Sequence, residues 1–218
     1  MIHNVLISNG SREHVINYIK EKKSEGKFKV IDIGGSVEGW STPYIDALID
    51  FNIPENLPEH IQYYQCDITH PDSWVKILED IQKDGKYDFC ICTHTLEDIM
   101  NPNYVCEQMS KIAKSGYIAF PSKYRELSRF EYTGYRGYIH HRWIFTVYNN
   151  NIVGFPKINY IDSVDIFDSV ANKSEEVADL SFTWNEKIHI NYINNNYLGP
   201  SVEHVVNYYN QLCNPDFI

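Results

Sequence analysis

Two spacings alternate along the first half of the chain. In residues 11–26, SREHVINYIKEKKSEG, the side chains of Val15, Ile16 and Ile19 recur at the interval of one helix face, with Ser11 as N-cap and Gly26 as the stop. The next run, FKVIDIG from Phe28, is apolar on both faces, as a central parallel strand must be. Shorter runs at 46–52 (DALIDFN) and 61–68 (IQYYQCDI) each predict a strand. Trp74, Ile77, Leu78 and Ile81 then form a helical stripe. YDFCICT, from Tyr87 to Thr93, predicts the fourth strand of the series, a helix follows the Asn101-Pro102 break, and GYIAFPS at 116–122 predicts the fifth.

Strands that alternate with helices or crossovers imply βαβ units, hence an α/β fold built on an open, mostly parallel, doubly wound sheet with helices on both faces. Past Ser122 the texture changes to aromatics and Asn. Two hairpins are predicted there, at 143–155 (WIFTVYNNNIVGF) and 180–193 (LSFTWNEKIHINYI), followed by a helix in SVEHVVNYYNQL at 201–212. The Asn runs at 149–151 and 194–196 read as loops. With no internal repeat and no long linker, one domain over 1–218 is expected, with a cofactor-binding core at 28–122 and an acceptor-side lid, hairpins and terminal helix at 123–218.

The 218 residues are 43% hydrophobic, enough for a sizeable core. The formal net charge of -10 and the lack of a basic cluster exclude a protein that wraps nucleic acid or lies on an anionic membrane, since both need local Lys/Arg excess. No window approaches the roughly 20 apolar residues that span a bilayer, and the start, MIHNVLISNGSREH, lacks a leader's pattern, so a soluble cytoplasmic protein is expected. The five cysteines, Cys66, Cys90, Cys92, Cys106 and Cys213, lack the paired spacing of a zinc site and read as buried free thiols.

In a doubly wound sheet ligands sit beyond the carboxyl ends of the strands, so the residues that close each strand carry the chemistry. Here they are Asp32 with Gly34, Gly35 and Ser36, then Asp50 with Phe51, Asp67 with Ile68, and Thr93 with His94. Three carboxylates at successive strand ends are not explained by core packing, which disfavours buried unpaired charge.

VIDIGGS, Asp50, CDI at 66–68, YDFCICTHTLEDIMNP and KIAKSGYIAFPS together resemble the class I S-adenosylmethionine-dependent methyltransferases. The resemblance covers 28–122 and implies a seven-stranded type of sheet. It further implies that Gly34, Gly35 and Ser36 let the backbone approach the methionine part of the cofactor while Asp32 fixes their turn. Asp50 would serve the ribose, its carboxylate accepting from two hydroxyls, and Phe51 beside it would also bind the cofactor. Asp67 would meet the adenine amine, Ile68 the ring face, and Thr93 and His94 the methyl end. S-adenosyl-L-methionine is thus the expected cofactor and S-adenosyl-L-homocysteine the product. Ser36 stands where the family has its second glycine and Glu38 where it has its third. The later GYIHHRWIF is similar to a subset of these enzymes linked to sugar and surface-glycan pathways.

Gly34-x-Ser36-x-x-Gly39 also approaches a dinucleotide fingerprint, which makes an NAD-dependent oxidoreductase an alternative. However, GWSTPYID is a poor start for the helix that would hold a pyrophosphate. A cofactor-binding but inactive module is a further alternative.

For a hydroxyl acceptor, a base within hydrogen-bond reach is needed. His94, His140 and His141 are the candidates. Glu97, Tyr135, Tyr138, Arg142 and Trp143 are expected to line the acceptor pocket, because amphipathic rings beside Arg suit a sugar or nucleotide-sugar. Glu97 and Asp98 also suit the first turn of a helix, where acids favour the dipole. No metal is expected, because adjacent His140 and His141 should diverge on an extended segment. The expected partner is a small polar molecule, with no nucleic acid and no membrane, and a homodimer is compatible with the sequence.

Overall fold

Residues 1–193 and 201–218 are described by a computed structural model; the Asn run at 194–196 lies outside the described residues. The N-terminal part contains β1 (Ile2–Ser8), α1 (Glu13–Glu25), β2 (Val30–Ile33), β3 (Ala47–Asp50), β4 (Gln62–Gln65), α2 (Val75–Asp84), β5 (Tyr87–Thr93), α3 (Pro102–Ile112) and β6 (Ala113–Pro121). After these come α4 (Lys123–Glu126), β7 (Trp143–Tyr148), β8 (Asn151–Pro156), α5 (Tyr160–Ser163), β9 (Asp179–Asn185), β10 (Ile190–Tyr192) and α6 (Val202–Asn210).

Seven strands form one sheet in the order β4-β3-β2-β5-β6-β9-β1. The pairs β2 with β3, β3 with β4, β2 with β5 and β5 with β6 are parallel. β9 is antiparallel to both β6 and β1, so β9 alone runs against the other strands and the sheet is mixed. Alternating side chains feed the two faces. Ile31 and Ile33 join a core with Trp74, Ile77, Val105 and Met109 from the α2 and α3 side. Val30 and Leu48 join Val15 and Ile19 of α1 on the opposite face.

β7 connects this sheet to the rest of the chain. Trp143, Phe145 and Val147 pack into the main core, whereas Ile144 turns to a separate cluster with Phe155, Phe167, Tyr209 and Leu212. The hairpin predicted at 143–155 forms, as β7 pairs antiparallel with β8. The one predicted at 180–193 does not: β9 is inserted between β6 and β1, while β10 pairs parallel with β8 in a second, three-stranded sheet. Glu186, at φ 65°, stands where the chain leaves the first sheet. β1 was not foreseen either, because its sequence IHNVLIS leaves His3 and Asn4 exposed on an edge strand.

Gly116 shows how tightly β6 is held. It lies opposite Trp184, and a Cβ there would come 2.3 Å from the Cys90 carbonyl oxygen and 2.6 Å from Trp184 Nε1. The carbonyl belongs to a central strand and cannot move aside. Gly116→Ala is expected to destabilise the protein by about 3 kcal/mol, the upper part of the overpacking range, read as a lowered denaturant midpoint at unchanged slope.

Candidate functional site

The glycine turn after β2 is shaped first by the chain itself. Gly34 has φ +73°, and a Cβ there would lie 2.5 Å from Thr95 Oγ1. A Cβ on Gly35 would lie 2.5 Å from Asp32 Oδ2. Asp32 is fully buried beneath the turn and accepts a hydrogen bond from Ser41 Oγ. Burial pushes its carboxyl up to about 6, against the opposing help of the Ser41 hydroxyl and the Ile33 backbone. Beyond the turn Gly39 N–H donates to the Ser36 carbonyl, and only a short 3-10 turn, Thr42–Tyr44, follows.

Gly34, Gly35, Ser36 and Asp50 come together, lining with Asn52 and Tyr63 a cavity of about 680 Å³ at the carboxyl ends of β2 and β3. Asp50 Oδ1 accepts from Asn52 N–H at 2.8 Å. Phe51 is exposed and does not line the cavity. Asp67 and Ile68 follow β4 and are not among the lining residues. The Asp67 side chain accepts from Thr69 N–H and Oγ1 at 2.9 and 2.6 Å, which holds it below the usual carboxylate range. Ile68 packs against the main core and its carbonyl takes the Trp74 Nε1 hydrogen.

A second group of side chains surrounds the exit of β5. His94 has φ 51°, a left-handed conformation uncommon outside glycine, and its N–H donates to the Ala119 carbonyl. Its Nε2 lies 3.0 Å from Asp179 Oδ2 and its Nδ1 lies 3.4 Å from Glu97 Oε1. Arg12 Nη2 reaches the same Asp179 oxygen at 2.5 Å. Partial burial alone would lower the His94 pKa, but Asp179 and Glu97 outweigh it and raise the ring to about 9. A ring raised in this way favours the imidazolium at neutral pH, although Arg12 Nη2 also lies 3.2 Å from Nε2. The two acids weigh against His94 as the base.

The third group lies on the turn that follows. As the Asn101-Pro102 break predicts, α3 begins at Pro102, capped by Asn101 Oδ1 on Tyr104 N–H, and residues 96–98 form a turn instead of the helical first turn that Glu97 and Asp98 suit. Glu97 and Asp98 are thus free of any helix dipole. Glu97 is 1% exposed with neither oxygen in a hydrogen bond. Its carbonyl accepts from Arg142 N–H at 2.7 Å and Trp143 N–H at 3.2 Å, and the Asp98 carbonyl accepts from Arg142 Nε at 3.0 Å. These bonds bring the loop before β7 onto the β5 turn. His141 is buried with Nδ1 2.6 Å from Glu126 Oε1, while Lys157 Nζ holds Glu126 Oε2 at 2.8 Å. Glu126 thus orients the ring, and the His141 Nε2 faces Asp98 Oδ1, 3.7 Å away. His140 is exposed, with Nε2 3.9 Å from the same oxygen.

Other acceptor-side candidates separate. Tyr138 packs its ring 4.6 Å from His141, beside the cluster. Tyr135 is 48% exposed and contacts Tyr132 instead. Trp143 is buried, donates from Nε1 to the Ile99 carbonyl and stacks on Tyr192, so it is a core side chain and not a pocket wall. Arg142 is exposed and fixes the Asp98 backbone. Arg12, Glu126, Lys157 and Asp179 were missed, since their partners lie far away in sequence. Cys66, Cys90, Cys92 and Cys106 are buried free thiols, and burial raises all four.

No protein-family model matches the chain, and no curated protein matches it. Among solved structures, the plantazolicin methyltransferase BpumL in complex with SAH is similar at 14% identity and a TM-score of 0.44, over 81% of this chain and 83% of that one. With a monoazolic desmethylPZN analog and SAH bound, the same enzyme matches over 51% of this chain and 46% of its own, at 19% identity and a TM-score of 0.38. The N-terminal domain of EvdMO1, in the presence of SAH and D-fucose, gives 11% and 0.40 over 78% and 81%. A putative S-adenosylmethionine-dependent methyltransferase from Listeria monocytogenes gives 12% and 0.43 over 82% and 100%. Likeness at this level carries no argument about function, which rests on the chain's own residues.

Two measurements test the electrostatics. The raised Asp32 pKa means that its proton favours the folded state; the contribution is full below about 3.8 and is lost as pH rises through about 6. Asp32→Asn is expected to remove that loss, on the order of 3 kcal/mol at 1.36 kcal/mol per unit, flattening stability against pH between about 4 and 6 in urea titrations. In NMR titration the His94 ring is expected to deprotonate near 9, and nearer 6.5 in Asp179→Asn.

Proposed function

We propose that this protein is an S-adenosylmethionine-dependent methyltransferase that acts on a hydroxyl of a small polar acceptor, a sugar or nucleotide-sugar. The observation that carries the reading is the single cavity in which Gly34, Gly35, Ser36 and Asp50 meet at the carboxyl ends of adjacent parallel strands. Its volume of about 680 Å³ suits a nucleoside-sized ligand. Asp50 offers a carboxylate for the ribose hydroxyls, and the turn of Gly34 to Ser36 offers backbone to the methionine end. The cofactor supplies an activated methyl on a sulfonium; the chain's task is to align the acceptor with it and to handle the acceptor's proton.

For the acceptor side, the reading moves the base from His94 to the cluster of Asp98, His140 and His141. Thr95 ties the two halves together, because its side chain abuts Gly34 and its carbonyl accepts Asp98 N–H at 3.2 Å. Tyr138 would flank the bound acceptor. Against an NAD-dependent oxidoreductase stands the 3-10 turn after Gly39, which offers no helix N-terminus to a pyrophosphate.

Calorimetry with S-adenosylmethionine, S-adenosylhomocysteine and NAD tests the reading. Binding of the first two is expected, weakened about 10–100-fold in Asp50→Ala, the cost of losing hydrogen bonds to a charged group. Binding of NAD alone would sink the proposal. Binding of the cofactor with no transfer of labelled methyl to any of a panel of sugars and nucleotide-sugars would leave the inactive module in its place.

A further inference from the structure

We propose that Asp98, His140 and His141 form a site for a divalent transition-metal ion. One ligand atom from each lies within 4.8 Å of the others, and among the described residues this is the one such group of three. The sequence argument against it assumed an extended segment. In fact His140 and His141 sit on a turn closed by His141 N–H on the Tyr138 carbonyl, so the two rings approach to 4.5 Å between centroids. Two further observations point to a ligand. Asp98 Oδ1 is covered from solvent and has no hydrogen-bond partner, a costly state for a carboxylate oxygen unless a cation takes it. His141 is oriented from behind: Glu126 holds Nδ1 at 2.6 Å and leaves Nε2 facing that oxygen at 3.7 Å, the carboxylate–histidine arrangement that backs metal-bound imidazoles.

The distances fit modest closure. Metal bonds of about 2.0–2.2 Å place neighbouring donor atoms about 3–3.6 Å apart, against the 3.7 and 3.9 Å seen from Asp98 Oδ1 to His141 and His140. His141 and Asp98 are fixed, by Glu126 and by Arg142 on the Asp98 carbonyl, whereas His140 is exposed and closes by side-chain rotation. Two imidazoles and one carboxylate favour zinc, iron(II), cobalt(II) or manganese(II) over magnesium or calcium, which take oxygen ligands. Three protein ligands leave at least one position open to an acceptor oxygen. The inference rests on the methyl-transfer reading for that last use alone; binding of the ion stands on the cluster's geometry. With an ion bound, His141 Nε2 would be a ligand in place of a base, and the ion would supply Lewis-acid activation of the acceptor hydroxyl.

The test uses the full chain, stripped with chelator and titrated with Co²⁺ and Zn²⁺. Expected are a single ion per chain, a visible Co²⁺ ligand-field spectrum, and binding weakened at least about tenfold in His140→Ala, whose exposed side chain is not needed for folding. Glu126→Gln is expected to weaken binding about 10–100-fold with the ion still held by the same donors. Absence of Co²⁺ and Zn²⁺ binding, or binding indifferent to His140→Ala, would overturn the site. Calorimetry with S-adenosylmethionine on the same samples separates the claims: cofactor without metal defeats only the metal site, metal without cofactor only the methyl-transfer reading, and neither defeats both.

Discussion

Two backbone hydrogen bonds hold the working parts of this molecule in one place. The Glu97 carbonyl accepts from Arg142 and Trp143 at 2.7 and 3.2 Å, tying the turn after β5 to the loop that enters β7. On one side of that turn Thr95 fills the space that a Cβ on Gly34 would need. On the other side Asp98 meets His140 and His141. The pairing of β2 with β5 already joins the glycine turn to the β5 exit, and the staple adds the histidine pair to them. Because it uses main-chain atoms, no side chain in the sequence announces it.

The glycines after β2 show how a motif can be right for a reason other than the one first offered. Glycine at 34 and 35 was expected because a cofactor must come close. The structure supplies a prior demand: Asp32 lies under Gly35 and Thr95 beside Gly34, each at 2.5 Å from a hypothetical Cβ. Ser36 carries no such restriction, and its Oγ accepts from Glu38 N–H at 3.1 Å, so the departures from a glycine-rich pattern fall where the chain has room.

Strands β2, β3, β5 and β6 were legible because both faces of each are covered, which forces apolar runs between polar ends, whereas the edge strand β4 was legible through its paired tyrosines. The same rule hid β1, an edge strand whose outer positions can be polar. It also misled at 180–193. β9 and β10 are close in sequence and each is apolar enough to pair, but β6 and β1 already take both edges of β9. Periodicity identifies a strand and not its neighbour. Site residues divide likewise: strand-end acids could be read, whereas Arg12, Glu126 and Asp179 matter only through contacts that span from 15 to 167 residues.

Charge gives these contacts a common direction. Four carboxylates, Asp32, Glu97, Glu126 and Asp179, are buried. Asp32 is met by a hydroxyl, Asp179 by Arg12 and His94, and Glu126 by Lys157 and His141. Glu97 has His94 Nδ1 at 3.4 Å and no hydrogen bond. A buried acid without full compensation lowers the potential around it, and the penalty of its burial is relieved by any cation that arrives. The turn from His94 to Asp98 is therefore a place where positive charge is stabilised. An imidazolium at His94 already takes part of that field. What remains favours a cationic ligand over a phosphate, which sets this site apart from the anion-binding glycine turns that its sequence superficially matches.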